Sequence, residues 1–236
     1  MALIGTGEWD STVLQDARWR KRLERLDDAS VTGAERVRLA RKVLRDGNDL
    51  AVCLLFHTFR NEDRGTAEHP LRAVLGPMRV RARRILSRPS RLRGRDHREA
   101  AAVLRHAPQT RDVALIAARL SEPLPADTRL DLVIAIGAMD DPPADTTLVT
   151  ALRAEITGDQ AELHPHIAQF LRGWSAADAT VLLREAVAHH HGHQERWPYL
   201  SALLHRDSTC RGLVEAHRDS LPAQDPRRAA VEARLR

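Results

Sequence analysis

Ten arginines fall within residues 72–98: Arg72, Arg79, Arg81, Arg83, Arg84, Arg88, Arg91, Arg93, Arg95 and Arg98. The only acid among them is Asp96, so the segment carries +9 while the whole chain carries +5, and the remainder is net −4. Guanidinium groups stay charged and present a planar fork of donors, which suits them to carboxylates and phosphates. So concentrated a charge is the footprint of a site for phosphate or for an acidic protein surface. On a helix over residues 78–86, Met78, Ala82 and Ile85 form the apolar stripe. Arg79 and Arg83 then lie on one flank, and Arg81, Arg84 and Arg88 on the other. The loop beyond adds Arg91, Arg93 and Arg95, which completes the candidate partner-binding set. Acids folded over it from neighbouring helices would turn the same segment into a solvated, internally paired face. Trp9, Trp19, Trp174, Trp197 and Tyr199 all lie outside it. Base stacking on single strands is therefore disfavoured relative to duplex backbone, structured RNA or an acidic protein.

A second cluster is His189-His190-His191-Gly192-His193, with Glu195 following. His189 and His193 have the i, i+4 spacing that places two imidazoles on one helical face for zinc. Gly192 between them ends the helix, so the pair is a weak metal candidate beside the plainer reading of a solvated His-rich loop; no metal site is expected. His164-Pro165-His166 reads as a helix start. No GxSxG, glycine-rich phosphate loop, HExxH or paired CxxC occurs, so neither a catalytic constellation nor a cofactor is expected. Cys53 and Cys210 lie among apolar or helical neighbours and read as buried free thiols. The start, MALIGTGEWD, has no basic stretch ahead of an apolar one, and the longest apolar runs are too short to cross a bilayer, which takes about 20 residues. A cytoplasmic protein without a membrane partner is the expectation.

The elements that must position these groups are helices. Aromatics make up 3% of the chain, and Ala, Leu, Arg and Glu dominate over β-branched alternation, so aliphatic side chains must carry the packing. The clearest unit runs over residues 111–155 as helix, Pro-bearing turn, helix, acidic turn, helix. In its middle, Leu130, Val133, Ile134 and Gly137 fall at i, i+3, i+4, i+7, with Leu132 and Ile136 widening the stripe until the helix must be buried on more than one side. Breaks recur at Gly47, Gly76, Ala107, Asp140, Trp174 and Arg206, separated by 29, 31, 33, 34 and 32 residues. That is the period of a two-helix unit, which cannot bury its apolar face alone but can do so by stacking on its neighbours.

This pattern resembles the HEAT-like and armadillo-like α-helical repeat families. RLDLVIAIGAMDD, with Arg129, Ala135, Gly137 and Asp141, looks like the second helix and following turn of a HEAT repeat. The resemblance implies an all-α fold, a right-handed α-α superhelix in one domain over residues 1–236. A capping helix would occupy residues 1–32, about six two-helix repeats 33–216 and a capping segment 217–236. It also implies a non-enzymatic scaffold that holds a macromolecular partner on its concave face, with the Arg-rich segment supplying charge attraction. The alternative is nucleic-acid binding, including the HEAT-like alkylpurine DNA glycosylases, which embrace a nucleotide with tryptophan, aspartate and arginine. Trp174 and Asp178, four apart at a helix start, are similar to part of that set; the second tryptophan and the arginine have no counterpart assignable here.

Overall fold

Capping side chains and apolar runs divide the chain into helices. The computed structural model describes residues 17–28, 30–62, 69–90, 94–106 and 108–235, and among these there are thirteen α-helices and no strand. In order they are α1 Ala17–Asp27, α2 Gly33–Asp46, α3 Asp49–Glu62, α4 Leu75–Leu86, α5 Arg95–His106, α6 Val113–Leu120 and α7 Ala126–Gly137. There follow α8 Thr146–Ile156, α9 His164–Gly173, α10 Ala177–His189, α11 Arg196–Arg206, α12 Arg211–Ser220 and α13 Pro226–Leu235. Thr32 caps α2 by accepting from Glu35 N at 3.3 Å. Asp145 caps α8 by accepting from Thr147 N at 2.7 Å. Each cap satisfies an N–H that the first turn of a helix leaves without a partner.

Packing follows chain order in two series. Odd-numbered helices meet in succession, α3 on α5, α5 on α7, α7 on α9 and α9 on α11. Even-numbered ones do the same from α2 through α4, α6 and α8 to α10. Each even helix from α2 to α12 also touches the odd helix after it. Ile, Leu, Val and Ala fill the space between, and the bulkiest fully buried groups are Trp174, Tyr199, Phe56 and Phe59. No described helix is long and apolar enough to cross a membrane.

Polar contacts between neighbouring units recur at a nearly constant separation of 32 to 35 residues. Arg81 donates to Gly47 O, Trp174 Nε1 to Pro142 O and Arg153 to Glu185. His190 Nε2 donates to Ile156 O, and His164 meets Tyr199. Two arginines act as latches. Arg129 donates to the carbonyls of Leu120, Glu122 and Leu124 at 3.0 to 3.4 Å and ion-pairs with Glu155. Arg206 donates to the carbonyls of Leu171, Arg172, Trp174 and Ala176, at the end of α9 and in the turn after it. Asp141 occupies left-handed backbone at φ 42°, which aspartate tolerates better than bulkier residues, and accepts from Ser175 N at 2.9 Å and Ser175 Oγ at 2.6 Å. These hydrogen bonds hold its carboxyl below the usual range.

The structure departs from the sequence expectations in three places. Gly76 does not break a helix: a 3-10 turn, Pro70–Val74, leads straight into α4, whose first turn contains Gly76 and Pro77. A proline there forfeits an N–H that would have had no helical acceptor. Along α7 the buried residues are Leu132, Val133, Ala135 and Ile136 with Thr128 and Asp131, while Leu130 and Ile134 are half-buried and Gly137 is exposed. The helix is turned from the expected stripe because its acid and threonine are buried too. Asp140, Trp174 and Arg206 each close an odd helix, whereas Gly47 precedes one, so the even spacing conceals a change of phase. Residues 1–16 of the expected capping helix, and the break residue Ala107, lie outside the described residues.

Candidate functional site

Helix α4 buries Met78, Ala82, Ile85 and Leu86 against the core, which confirms the expected stripe and fixes where each arginine can go. Opposite it runs an exposed line of Pro77, Val80, Arg84 and Ser87, at i, i+3, i+7, i+10. Val80 is 60% exposed and is the most exposed of the large apolar side chains described.

The flank bearing Arg81 and Arg88 turns to the start of α3. Arg81 donates to Gly47 O at 2.8 Å and lies 3.7 Å from Asp49; Arg88 donates to Asp49 Oδ2 at 3.0 Å. Together with Arg84, Asn48, Leu50 and Asp96 these residues line a pocket of about 450 Å³. Arg84 is exposed at its edge and meets no acceptor among the described residues. Three guanidinium groups here face two carboxylates, so most of this flank's charge is answered within the fold.

The other flank turns to the 3-10 turn Thr110–Asp112 ahead of α6. Arg83 Nε is 2.7 Å from Asp112 Oδ1, an ion pair too bent to be an aligned hydrogen bond, and Asp112 is completely buried. Arg79, one turn earlier, has its Nε buried without a hydrogen-bond partner. Burial, then the nearby Arg111 and Arg83, push Arg79 below the ordinary arginine value, with Asp112 opposing. Of the remaining candidates, Arg95 is exposed at the first residue of α5, and Arg98 on the same helix pairs with Asp127 at 2.6 Å. Arg91 and Arg93 lie outside the described residues. Thus the structure divides the arginine set between two neighbours, and the acids that answer it, Asp49, Asp112 and Asp127, come from helix starts one unit away.

The other sequence candidates stand apart from this site. Trp174 is 1% exposed, donates its indole N–H to Pro142 O at 2.6 Å and stacks on Phe170 with ring centroids 5.2 Å apart. Its faces are spent on the core and leave none for a base. Asp178 is half-buried in the first turn of α10. His189 and His193 line a pocket of about 400 Å³ with His164, His190, Asp159 and Glu195. Helix α10 ends at His189, and Gly192, at φ 86°, lies in the turn between the two histidines. Among the described residues no three His, Cys, Asp or Glu side chains come together in a way that could hold a metal. His190 is buried, stacks on Tyr199 and lies edge-on to His164 at 4.5 Å; burial lowers the pKa of both histidines and raises that of Tyr199. Cys53 and Cys210 are free and buried.

Sequence reading missed a buried polar cluster between α3, α5 and α7. His57 Nδ1 donates to Glu99 Oε1 at 3.1 Å, and its Nε2 accepts from Asn61 at 2.9 Å. Arg60 lies 3.2 Å from the same Glu99 oxygen. Arg105 donates to Asp131 at 3.0 Å, and burial raises the pKa of Asp131. Apart from His57 and Asn61, four apart on α3, the partners are 26 to 42 positions apart, so no local pattern marks the cluster.

Compared with models of known protein families, with characterised proteins and with solved structures, the chain matches none.

Proposed function

We propose that this chain is a HEAT-like α-solenoid that acts as a non-enzymatic scaffold, and that it binds an acidic protein partner on the outward face of α4. The sequential packing of odd and even helices and the polar contacts repeated every 32 to 35 residues support the architecture. A superhelix of this kind would be right-handed, with units as modules that contact only their neighbours. The observation that carries the functional reading is the line Pro77, Val80, Arg84, flanked by Arg79 and Arg83 on one side and by Arg81 and Arg88 on the other. An exposed apolar residue ringed by arginines suits an interface that excludes water at its centre and steers by charge at its rim. The arginines that support it sit on the even-helix series, so the partner is assigned to that surface.

Val80→Asp with Arg84→Glu reverses this surface without touching a buried group. Captured on the wild-type chain from native-host extract and quantified by mass spectrometry, an acidic partner should be lost on the double variant. Its recovery on the wild type should fall as salt is raised, since rim charges are screened over about 8 Å at physiological ionic strength. Equal recovery on both chains would refute the reading. A duplex DNA mobility shift at low salt that depends on the same two residues would replace it with nucleic-acid binding.

A further inference from the structure

The two flanks of α4 are not equivalent, and the difference points to one kind of acidic group. On the Asp49 side, Arg81 donates to a carbonyl and Arg88 to a carboxylate, although Arg81 Nε is itself buried without an acceptor. On the Asp112 side, three arginines neighbour one carboxylate, which only Arg83 contacts. Arg79 and Arg83 are a turn apart on α4, Arg83 is bound at Nε to the buried Asp112, and Arg111 is the residue next to that acid. Arg111 and Arg83 both act on Arg79, with Asp112 opposing them, so three guanidinium groups formally share one carboxylate here. Arg111 is exposed, the Arg83 side chain is 32% exposed, and Arg79 retains a buried Nε–H with no acceptor. Cations crowded against one another in the free protein lower their energy when an anion enters between them.

We propose that Arg79, Arg83 and Arg111 form a receptor for a phosphate monoester, presented as a phosphorylated serine or threonine of the partner protein. The assignment rests on the reading that a protein docks on α4, and it names the group that docks. A monoester carries −1.5 to −2 near neutral pH and offers three strong acceptor oxygens, which suits three guanidinium groups sharing one carboxylate and an arginine donor without an acceptor. The phosphodiesters of nucleic acid carry one charge each along an extended line. The arginines here do not form such a line, because the opposite flank is tied to Asp49.

The test uses the full chain with inorganic phosphate, O-phosphoserine and dimethyl phosphate as probes, titrated at constant ionic strength and followed through arginine Nε–H resonances. Wild type should bind O-phosphoserine at least tenfold more tightly than dimethyl phosphate. Binding should weaken several-fold from pH 7.5 to 5.5, as the monoester takes up a proton near pH 6. Arg79→Gln with Arg111→Gln should abolish it, and Arg38→Gln, an exposed arginine on α2, should leave it unchanged. Thermal stability of the double variant should stay level or rise, since cation repulsion is relieved, and this separates lost binding from lost fold. Equal binding of the monoester and the diester, or phosphate affinity unaltered in the double variant, overturns the proposal. If the double variant still captures the protein partner while Val80→Asp with Arg84→Glu does not, docking on α4 stands and the phosphate receptor falls. If neither variant alters capture, both fall.

Discussion

Arg129 and Arg206 on one hand, and Arg79 and Arg84 on the other, show the same side chain in opposite uses. The first pair is spent inside the fold, each closing a turn by donating to three or more carbonyls. The second pair stands on α4, where Arg79 Nε has no acceptor and Arg84 meets none among the described residues. What separates them is where the chain supplies oxygens. A helix end leaves its last carbonyls without N–H partners, and an arginine from the next helix can collect them, whereas the middle of an exposed helix has none to offer. Charge density along the sequence therefore says little about which arginines are available to a partner.

Removing a latch should have the largest effect. Arg129→Ala leaves Glu155, 3% exposed with its carboxyl already pushed up by burial, without its cation, and should cost about 3–5 kcal/mol in urea denaturation. A loss under 1 kcal/mol would make Arg129 as dispensable as an exposed arginine and erase the contrast. Arg206→Ala, which strands carbonyls but no buried charge, should cost about 2–3 kcal/mol.

Next comes pH. Burial lowers the pKa of His164, His190 and His217, so each resists protonation more in the folded chain than in the unfolded one. The unfolded chain takes up their protons first as pH falls below about 6.5. Stability should therefore be fully present above that pH and decline toward the lower, folded-state values. His190→Asn should flatten the melting-temperature profile between pH 7 and 5; a profile as steep as wild type would show that the fold does not hold this ring neutral.

The smallest effects belong to α4. Asp49→Asn removes the carboxylate that answers Arg88, leaves Arg81 on Gly47 O, and should cost no more than about 1 kcal/mol, because the pair is partly solvated, while strengthening capture of an acidic partner. Arg84→Ser should lie within about 0.5 kcal/mol of wild type; a larger loss would move Arg84 into the structural class.

Helix positions were largely legible from local signals. Thr32 before α2, Asp145 before α8 and the apolar run of α6 are punctuated by side chains a few residues apart. The flanks of α4 were legible as well, since helical geometry alone separates Arg79 and Arg83 from Arg81 and Arg88. Three things were hidden because they depend on residues a whole unit away. The tie of Trp174 to Pro142, whose carbonyl accepts its indole N–H, joins residues 32 positions apart. Gly76-Pro77 reads as a break until the 3-10 turn before it shows that the proline lies within a first helical turn. The α7 stripe was misplaced because Asp131 looks like a solvent residue until Arg105, 26 positions earlier, is found to pair with it.

The ties that span 32 to 35 residues carry one more implication. Each joins a hairpin to its immediate successor, so a whole hairpin could be duplicated or excised between Pro142 and Arg206 with the same kinds of fastening re-formed across the new junction. Length in that stretch could then change by complete modules during descent, while the arginine-bearing helix near the other end kept its surroundings intact.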